Sequence, residues 1–462
     1  MSSKVVMMYF SIFPEDYAVT QNRLLCRWIA EGLVSEKRGL TMMEVAKSYL
    51  DELLSRNMIE EDRTNLLERG VRSYRVHDVL LEVLVSRSLD ANFVSLQGGP
   101  NDGGLLYGRI RRLSIHGSVN NPYSPHKRKT GGHQGVEEVN AQHVRSLSMF
   151  HPKGNKYLDK LGKFTLLRVL DLEGCEGVTN KHVRYACLLY LLKFLSFMGT
   201  NISVMPPQWI LPQRISKMKA LRDLGTICLG NDAKVAREVG ELELLQRLGL
   251  QIKTDRMDVL QQLALSLSKR YSLRQLYIRD VNHTTRKVLN FLHDLPTPPL
   301  LLESLWIRGD IDGLPSWVGS LTYLTQFRIY GTSLDVDQLL GVLCQLPNLM
   351  IVVVELNETS NVEVAARASQ KFPALNYFEF SGPLPNVIRF EERSMEMLEQ
   401  LVLGIDSGEL ETSIIGMEHL TNLKKVSIKG YKDSPAMNHV LGQLKAWNDE
   451  LPKPLQVAVK KL

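Results

Sequence analysis

The pattern L-x-x-L-x-L returns again and again along this chain, and few sequence features restrict a fold more tightly. Aligned on the second leucine position, clear instances are Leu147 in VRSLSM, Leu170 in LRVLDL, Leu195 in LKFLSF, Leu248 in LQRLGL and Leu276 in LRQLYI. The series continues with Leu305 in LESLWI, Phe327 in LTQFRI, Val352 in LMIVVV, Phe378 in LNYFEF, Leu401 in LEQLVL and Val426 in LKKVSI. Leu113 in IRRLSI and Leu224 in LRDLGT fit less closely. Alternation of apolar and variable positions is the signature of a short strand with one buried face. A single unit cannot bury that face alone, but a stack of them can.

The spacing averages about 25 residues, inside the leucine-rich-repeat range of roughly 20 to 29. The fold class that follows is α/β, a leucine-rich-repeat solenoid or horseshoe with a concave parallel sheet, preceded by a small winged-helix domain. The expected boundaries are 1–95 for the winged helix, 96–143 for a linker, a loop and a first irregular repeat, and 144–462 for the solenoid. QGGPNDGG, with Gly98, Gly99, Gly103 and Gly104, reads as a turn-rich linker, and 118–140 as an exposed loop whose Lys127-Arg128-Lys129 cluster is solvated. LMIVVVEL is short and β-branched, hence a buried strand.

The winged-helix reading rests on the first ninety residues. A helix runs from Thr20 as N-cap, with Leu24, Leu25, Trp28 and Ile29 on one face and Gly32 as its terminator. A second begins at the capping box Thr41-Met42-Met43-Glu44 and keeps Val45, Tyr49, Leu50, Leu53 and Leu54 at helical spacing. An extended pair follows in RNMIEED and RSYRVHDVL. Many winged helices bind DNA through a cationic helix, yet this second helix carries Glu44, Asp51 and Glu52 against Lys47 and Arg56. Phosphate contacts need lysine or arginine on the docking face, so no nucleic-acid partner is expected.

Composition narrows the class further. In 462 residues, 56 basic side chains face 50 acidic ones, a net charge of +6 that names no partner by itself. Five cysteines lack any C-x-x-C pair and suit a reducing, cytoplasmic setting. Lys4 precedes an apolar run, Val5 to Phe13, that loosely imitates a signal peptide; Pro14, Glu15 and Asp16 follow without a cleavage site, so a buried helix or strand is the expectation. No apolar run reaches the roughly 20 residues needed to span a bilayer. No H-E-x-x-H, G-x-S-x-G or paired-cysteine zinc spacing is present, so neither catalytic nor metal-binding residues are expected.

Two stretches carry a family resemblance. MMYFSIFPEDYAVTQNRLLCRWIAEGLV looks like the block opening the winged-helix part of the nucleotide-binding module in plant NLR immune receptors, the coiled-coil, nucleotide-binding, leucine-rich-repeat class. YRVHDVLLEVLVSRS is similar to that family's M-H-D motif, with Val76 in place of methionine before His77 and Asp78. LPSWVGSLTYLTQFRI also resembles the plant-type repeat. The resemblance implies that His77 faces the β-phosphate of ADP in an intact receptor and that Asp78 fixes the local geometry. From the residues alone, Asp78 also serves as N-cap for a helix Val79 to Ser86, and both roles are compatible.

A P-loop, G-x-x-x-x-G-K-[ST], is absent from the sequence, so no cofactor is expected in this chain, although ADP and ATP serve the intact family. The implied identity is an N-terminally truncated receptor that recognises a pathogen effector or a guarded host protein, or that acts on a full-length NLR as decoy or regulator. The alternatives are a repeat scaffold or adaptor without nucleotide switching, and a winged-helix nucleic-acid binder.

The repeat register also names a binding face. Residues between and just after the last two apolar positions point into the concavity, and neighbouring strands lie about 4.8 Å apart. Three consecutive repeats thereby set Tyr277 and Arg279, Trp306 and Arg308, and Arg328 and Tyr330 side by side. Tyrosine, tryptophan and arginine dominate binding hot spots, so this patch is the candidate partner site for an acidic or aromatic protein surface. A local cation–π contact of Trp306 with Arg308 or Arg328 is the alternative account of the same residues.

Overall fold

The apolar run after Lys4 is helical and buried. Helix α1 (Ser2–Met8) passes into a tight 3-10 turn, Tyr9–Ile12, all four of whose residues are buried. The computed structural model describes residues 2–62, 72–97, 110–116, 141–150, 156–175, 177–197, 215–269, 271–281, 287–358, 363–383, 385–405, 412–430, 435–449 and 454–461. The Gly98–Gly104 linker and the 118–140 loop lie outside these residues. Two units can be told apart, Met1–Ile227 and Cys228–Leu462.

In the first unit, strand β1 (Val19–Thr20) leads directly into α2 (Gln21–Glu31), which stops at Gly32 in the left-handed region with φ of 75°. Only glycine takes that backbone without strain, and its N–H caps the carbonyls of Trp28 and Ile29. Helix α3 (Met42–Ser55) opens with both halves of its capping box: Glu44 N–H donates to Thr41 Oγ1 at 3.2 Å, and Thr41 N–H to Glu44 Oε2 at 2.7 Å. The expected hairpin is β2 (Glu60–Glu61) against β3 (Ser73–Arg75), with β1 added on the far side to give the antiparallel order β1-β3-β2. Trp28, Leu24, Leu25, Val45 and Leu50, all at most 1 % exposed, centre the core of this region.

Helix α4 (Asp78–Asp90) begins one residue earlier than the expected Val79. His77, not Asp78, holds the cap position, with extended backbone and no side-chain capping bond; Asp78 is already helical, an acidic residue in the first turn.

The parallel ladder of the first unit starts at β4 (Ser95–Gln97) and continues through β5 (Arg112–His116), β6 (Ser146–Phe150), β7 (Val169–Asp171), β8 (Phe194–Ser196) and the start of β9 (Asp223–Leu229). Leu113, Leu147, Leu170, Leu195 and Leu224 are consecutive register partners and are buried.

The second unit repeats the scheme with β10 (Arg247–Ile252), β11 (Gln275–Asp280), β12 (Ser304–Arg308), β13 (Gln326–Thr332) and β14 (Ile351–Leu356). A side strand, β15 (Glu363–Ala366), comes next in the chain. The main ladder resumes at β16 (Tyr377–Gly382), β18 (Gln400–Ile405), β20 (Lys425–Gly430) and β21 (Gln456–Lys461), while β17 (Val387–Phe390) and β19 (Ser413–Ile415) join β15 in a second parallel sheet. Leu248, Leu276, Leu305, Phe327, Val352, Phe378, Leu401 and Val426 form one unbroken row of register partners. Val457 extends it by one strand beyond the L-x-x-L-x-L series, because QVAVKK has no leucine at either flanking position. Helices Met257–Leu267 and Val336–Leu343 and the 3-10 turn Ser316–Ser320 connect the strands, and Trp317 Nε1 donates to the Leu292 carbonyl at 2.8 Å. Among the described residues no helix is long and apolar enough to cross a membrane.

Candidate binding face

The concave rows of the second unit bring the six proposed residues together as the register requires. Tyr277 pairs with Trp306 and Trp306 with Arg328; one step on, Arg279 pairs with Arg308 and Arg308 with Tyr330. The Tyr277 and Trp306 rings meet edge to face, with centroids 6.1 Å apart at 76°. The Arg328 guanidinium carbon sits 4.8 Å from the Trp306 ring centre, and that of Arg308 5.9 Å from Tyr330. Arg328 is 1 % exposed. It supports Trp306 and Tyr330 from beneath rather than offering surface of its own, so the accessible face consists of Tyr277, Arg279, Trp306, Arg308 and Tyr330. Burial raises the Tyr330 phenol pKa, and Arg328 opposes that rise.

Next to this face lies a group that the sequence reading did not single out. Glu379 accepts from Tyr377 Oη and from Lys429 Nζ, each at 2.6 Å, and all three are nearly buried. Burial first, then Glu379, pushes the Tyr377 pKa upward. Val353, Tyr377 and Val402 pack into one cluster, with Tyr330 and Ile351 against it. Extending the concave register to β16 and β20 is the signal that would have found these residues.

In the first unit the same concave row reads Ser114, Ser148, Asp171 and Ser196, small polar residues where the second unit has tyrosine, tryptophan and arginine. That smaller row leaves room for α2. Ala30 packs with Val169 and Phe194, with Cys26 against them. Arg27 donates to Asp171 Oδ2 at 2.6 Å, to Ser148 Oγ at 2.6 Å and to Tyr9 Oη at 3.0 Å. Arg23 Nε donates to Asp171 Oδ2 at 2.8 Å and lies 3.1 Å from Glu173. Burial alone would raise the Asp171 pKa, but Arg23 and Arg27 outweigh it and hold the carboxyl below its ordinary value. Tyr9 donates to Glu31 at 2.7 Å, and Arg112 also pairs with Glu31. Ser114 donates to the Ile12 carbonyl at 2.6 Å and His116 Nε2 lies 3.0 Å from it, fixing the N-terminal turn to β5.

His77 is 64 % exposed at its side chain, with Nε2 3.2 Å from Glu60, which also pairs with Arg75. A phosphate at this imidazole would face the Glu60 carboxylate. At the C-terminal cap of the acidic α3, Arg56 pairs with Glu52 at 2.8 Å. Among the described residues no group of three His, Cys, Asp or Glu side chains could hold a metal ion.

Comparison with known proteins places this geometry. The family model for the leucine-rich repeat region matches residues 143–210 and 204–446, and that for the disease resistance protein winged helix domain matches 12–84. Disease resistance protein PIK6-NP of Oryza sativa subsp. japonica is 27% identical, over 97% of this chain and 50% of that protein. Disease resistance protein RGA4 of the same species is 33% identical over 48% of this chain and 20% of its own length. The putative disease resistance RPP13-like protein 3 of Arabidopsis thaliana is 26% identical, over 88% of this chain and 49% of that protein. The chain spans about half the length of the curated relatives it matches along most of its own. The chain belongs to the leucine-rich-repeat proteins, with a winged helix of the disease-resistance type at its start and similarity to plant disease resistance proteins along most of its length.

Proposed function

We propose that this chain is the protein-recognition part of a plant innate-immunity receptor, and that the concave face of its second unit takes a pathogen effector or a guarded host protein. Support comes from one observation above the others: two neighbouring register rows set Tyr277 beside Trp306 and Arg308 beside Tyr330, around a buried Arg328. Aromatic and arginine side chains held rigid by stacking lose little entropy on binding and present large contact area. The first unit's concave row is already filled by α2, which leaves the second unit's row as the face open to another protein. A binding role without chemistry fits these surroundings, and we assign no enzyme activity.

Proximity labelling in infected and healthy leaves, with the tag on the wild-type chain or on Trp306→Ala/Arg308→Ala, tests the proposal. A protein labelled in infected tissue by the wild type and lost with the double variant is expected. Identical labelling by both contradicts the proposed site.

A second reading, a scaffold or regulator that acts without nucleotide switching, draws support from the Glu60 carboxylate beside His77. Equilibrium dialysis of the purified chain against ADP tests this second reading: it expects no retention, and tight retention overturns it.

A further inference from the structure

We infer that the concave face of the second unit takes its protein partner through carboxylates: an acidic segment with an aromatic or aliphatic side chain beside the acids and a cation a short distance beyond them. This rests on the proposed site and specifies what the site selects. Arg279 and Arg308 are in-register neighbours on adjacent strands, with the strands about 4.8 Å apart. Like charges facing one another across a sheet repel. Other cations of the unit have carboxylate partners: Arg274 pairs with Glu303, Lys287 with Asp312, Arg389 with Glu363, and Lys429 with Glu379. No carboxylate lies within ion-pair distance of Arg279 or Arg308 among the described residues, and Arg279 Nε is buried without a hydrogen-bond partner. Two guanidinium forks side by side match a carboxylate, or two on neighbouring residues, in the paired geometry that arginine favours.

The rest of the row fixes the other features of the segment. Tyr277 and Trp306, meeting edge to face, lie two residues before the arginines and offer an apolar floor for a side chain next to the acids. Tyr330 follows Arg308 in the row, and its own register partner is the half-buried Glu355. Glu355 thus stands two strands from Arg308, about 10 Å away. An extended segment covers that distance in roughly three residues. Its carboxylates therefore lie over β11 and β12, and its cation over β14, which orients the segment across the strands.

A random-peptide phage library selected on the whole chain tests this, with Arg279→Gln/Arg308→Gln, Arg279→Lys/Arg308→Lys and Trp306→Ala as parallel baits whose melting curves confirm folding. The expected binders carry Asp or Glu beside Trp, Phe or Leu, with Lys or Arg about three residues on. Synthesised singly, they lose roughly tenfold or more in affinity on the glutamine bait, the effect of losing one charge-assisted hydrogen bond. They weaken with added salt and are only partly restored by the lysine bait. Binders lost on Trp306→Ala but free of acids and indifferent to the arginine changes overturn the inference while leaving the concave site in place. Binders indifferent to every variant overturn both, and a selection with no arginine-dependent binder overturns the inference.

Discussion

Arg27 and Asp171, 144 positions apart in the chain, meet at 2.6 Å with neither side chain exposed to solvent. One belongs to the second helix of the winged-helix region and the other to the concave face of a repeat, so this pair ties the two parts of the first unit together. Arg23 shares the same carboxylate oxygen. Asp171→Ala leaves two buried guanidiniums without their shared anion, and loss of one partner from a buried pair costs about 3–5 kcal/mol. Urea unfolding should show that loss in the transition reporting the first unit. Asp258→Asn, which breaks the solvent-exposed pair with Arg256, should leave the midpoint unchanged.

The same junction sets the acid response. Burial holds the His116 imidazole below its usual pKa despite the Ile12 carbonyl beside it, and Asp171 also titrates below its ordinary value. In both cases the unfolded chain binds the proton more readily than the folded one, so stability rises with pH through each window. His116 contributes stability that is present above about 6.5 and is lost as pH falls toward its folded value. Asp171 contributes stability that is present above about 3.9 and is lost as pH falls further. Melting temperatures measured from neutral pH downward should fall in two stages. His116→Gln flattens the first and leaves the second, and an unchanged profile for that variant contradicts this account.

The buried triad beside the binding face makes a separate prediction. Glu379→Leu strands the Lys429 ammonium and destabilises the second unit by several kcal/mol, about 3–5 by the general behaviour of broken buried pairs. Adding Lys429→Met removes the stranded charge and recovers most of that stability, since an apolar pair of similar size is often neutral. A double-mutant cycle on unfolding midpoints reads the coupling, and purely additive losses run against it.

A smaller effect checks the local reading of helix α3. Thr41→Ala removes the hydroxyl that caps Glu44 N–H and should cost about 1 kcal/mol in chemical unfolding. Thr41→Ser should restore nearly all of it.

Much of this was legible in the sequence, and the particular residues explain why. Leu147, Leu276 and Phe327 announced their strands because a stack buries the same position in every repeat, so the register could be counted before any contact was known. Gly32 and the Thr41–Glu44 box were legible because capping is local. Asp78 was misread as the cap because His77 holds that position without making a side-chain bond, which leaves no sequence signal to choose between them. The partners of Arg23 and Arg27 could not be read at all. They sit on an amphipathic helix at positions that look solvent-facing until Asp171, in a distant repeat, is brought over them. Arg328 was correctly placed in its row, but its burial depends on the bulk of Trp306 and Tyr330 on either side, which register alone does not supply.

The central claim is that a partner protein lies on the concave face of the second unit, and hydroxyl-radical footprinting with the protein found by proximity labelling tests it most directly. The account predicts that oxidation of Trp306, Tyr277 and Tyr330 falls on binding while the exposed Tyr271 and Tyr323, outside the concave rows, react as before. Unchanged oxidation of Trp306 in a demonstrably formed complex would contradict it.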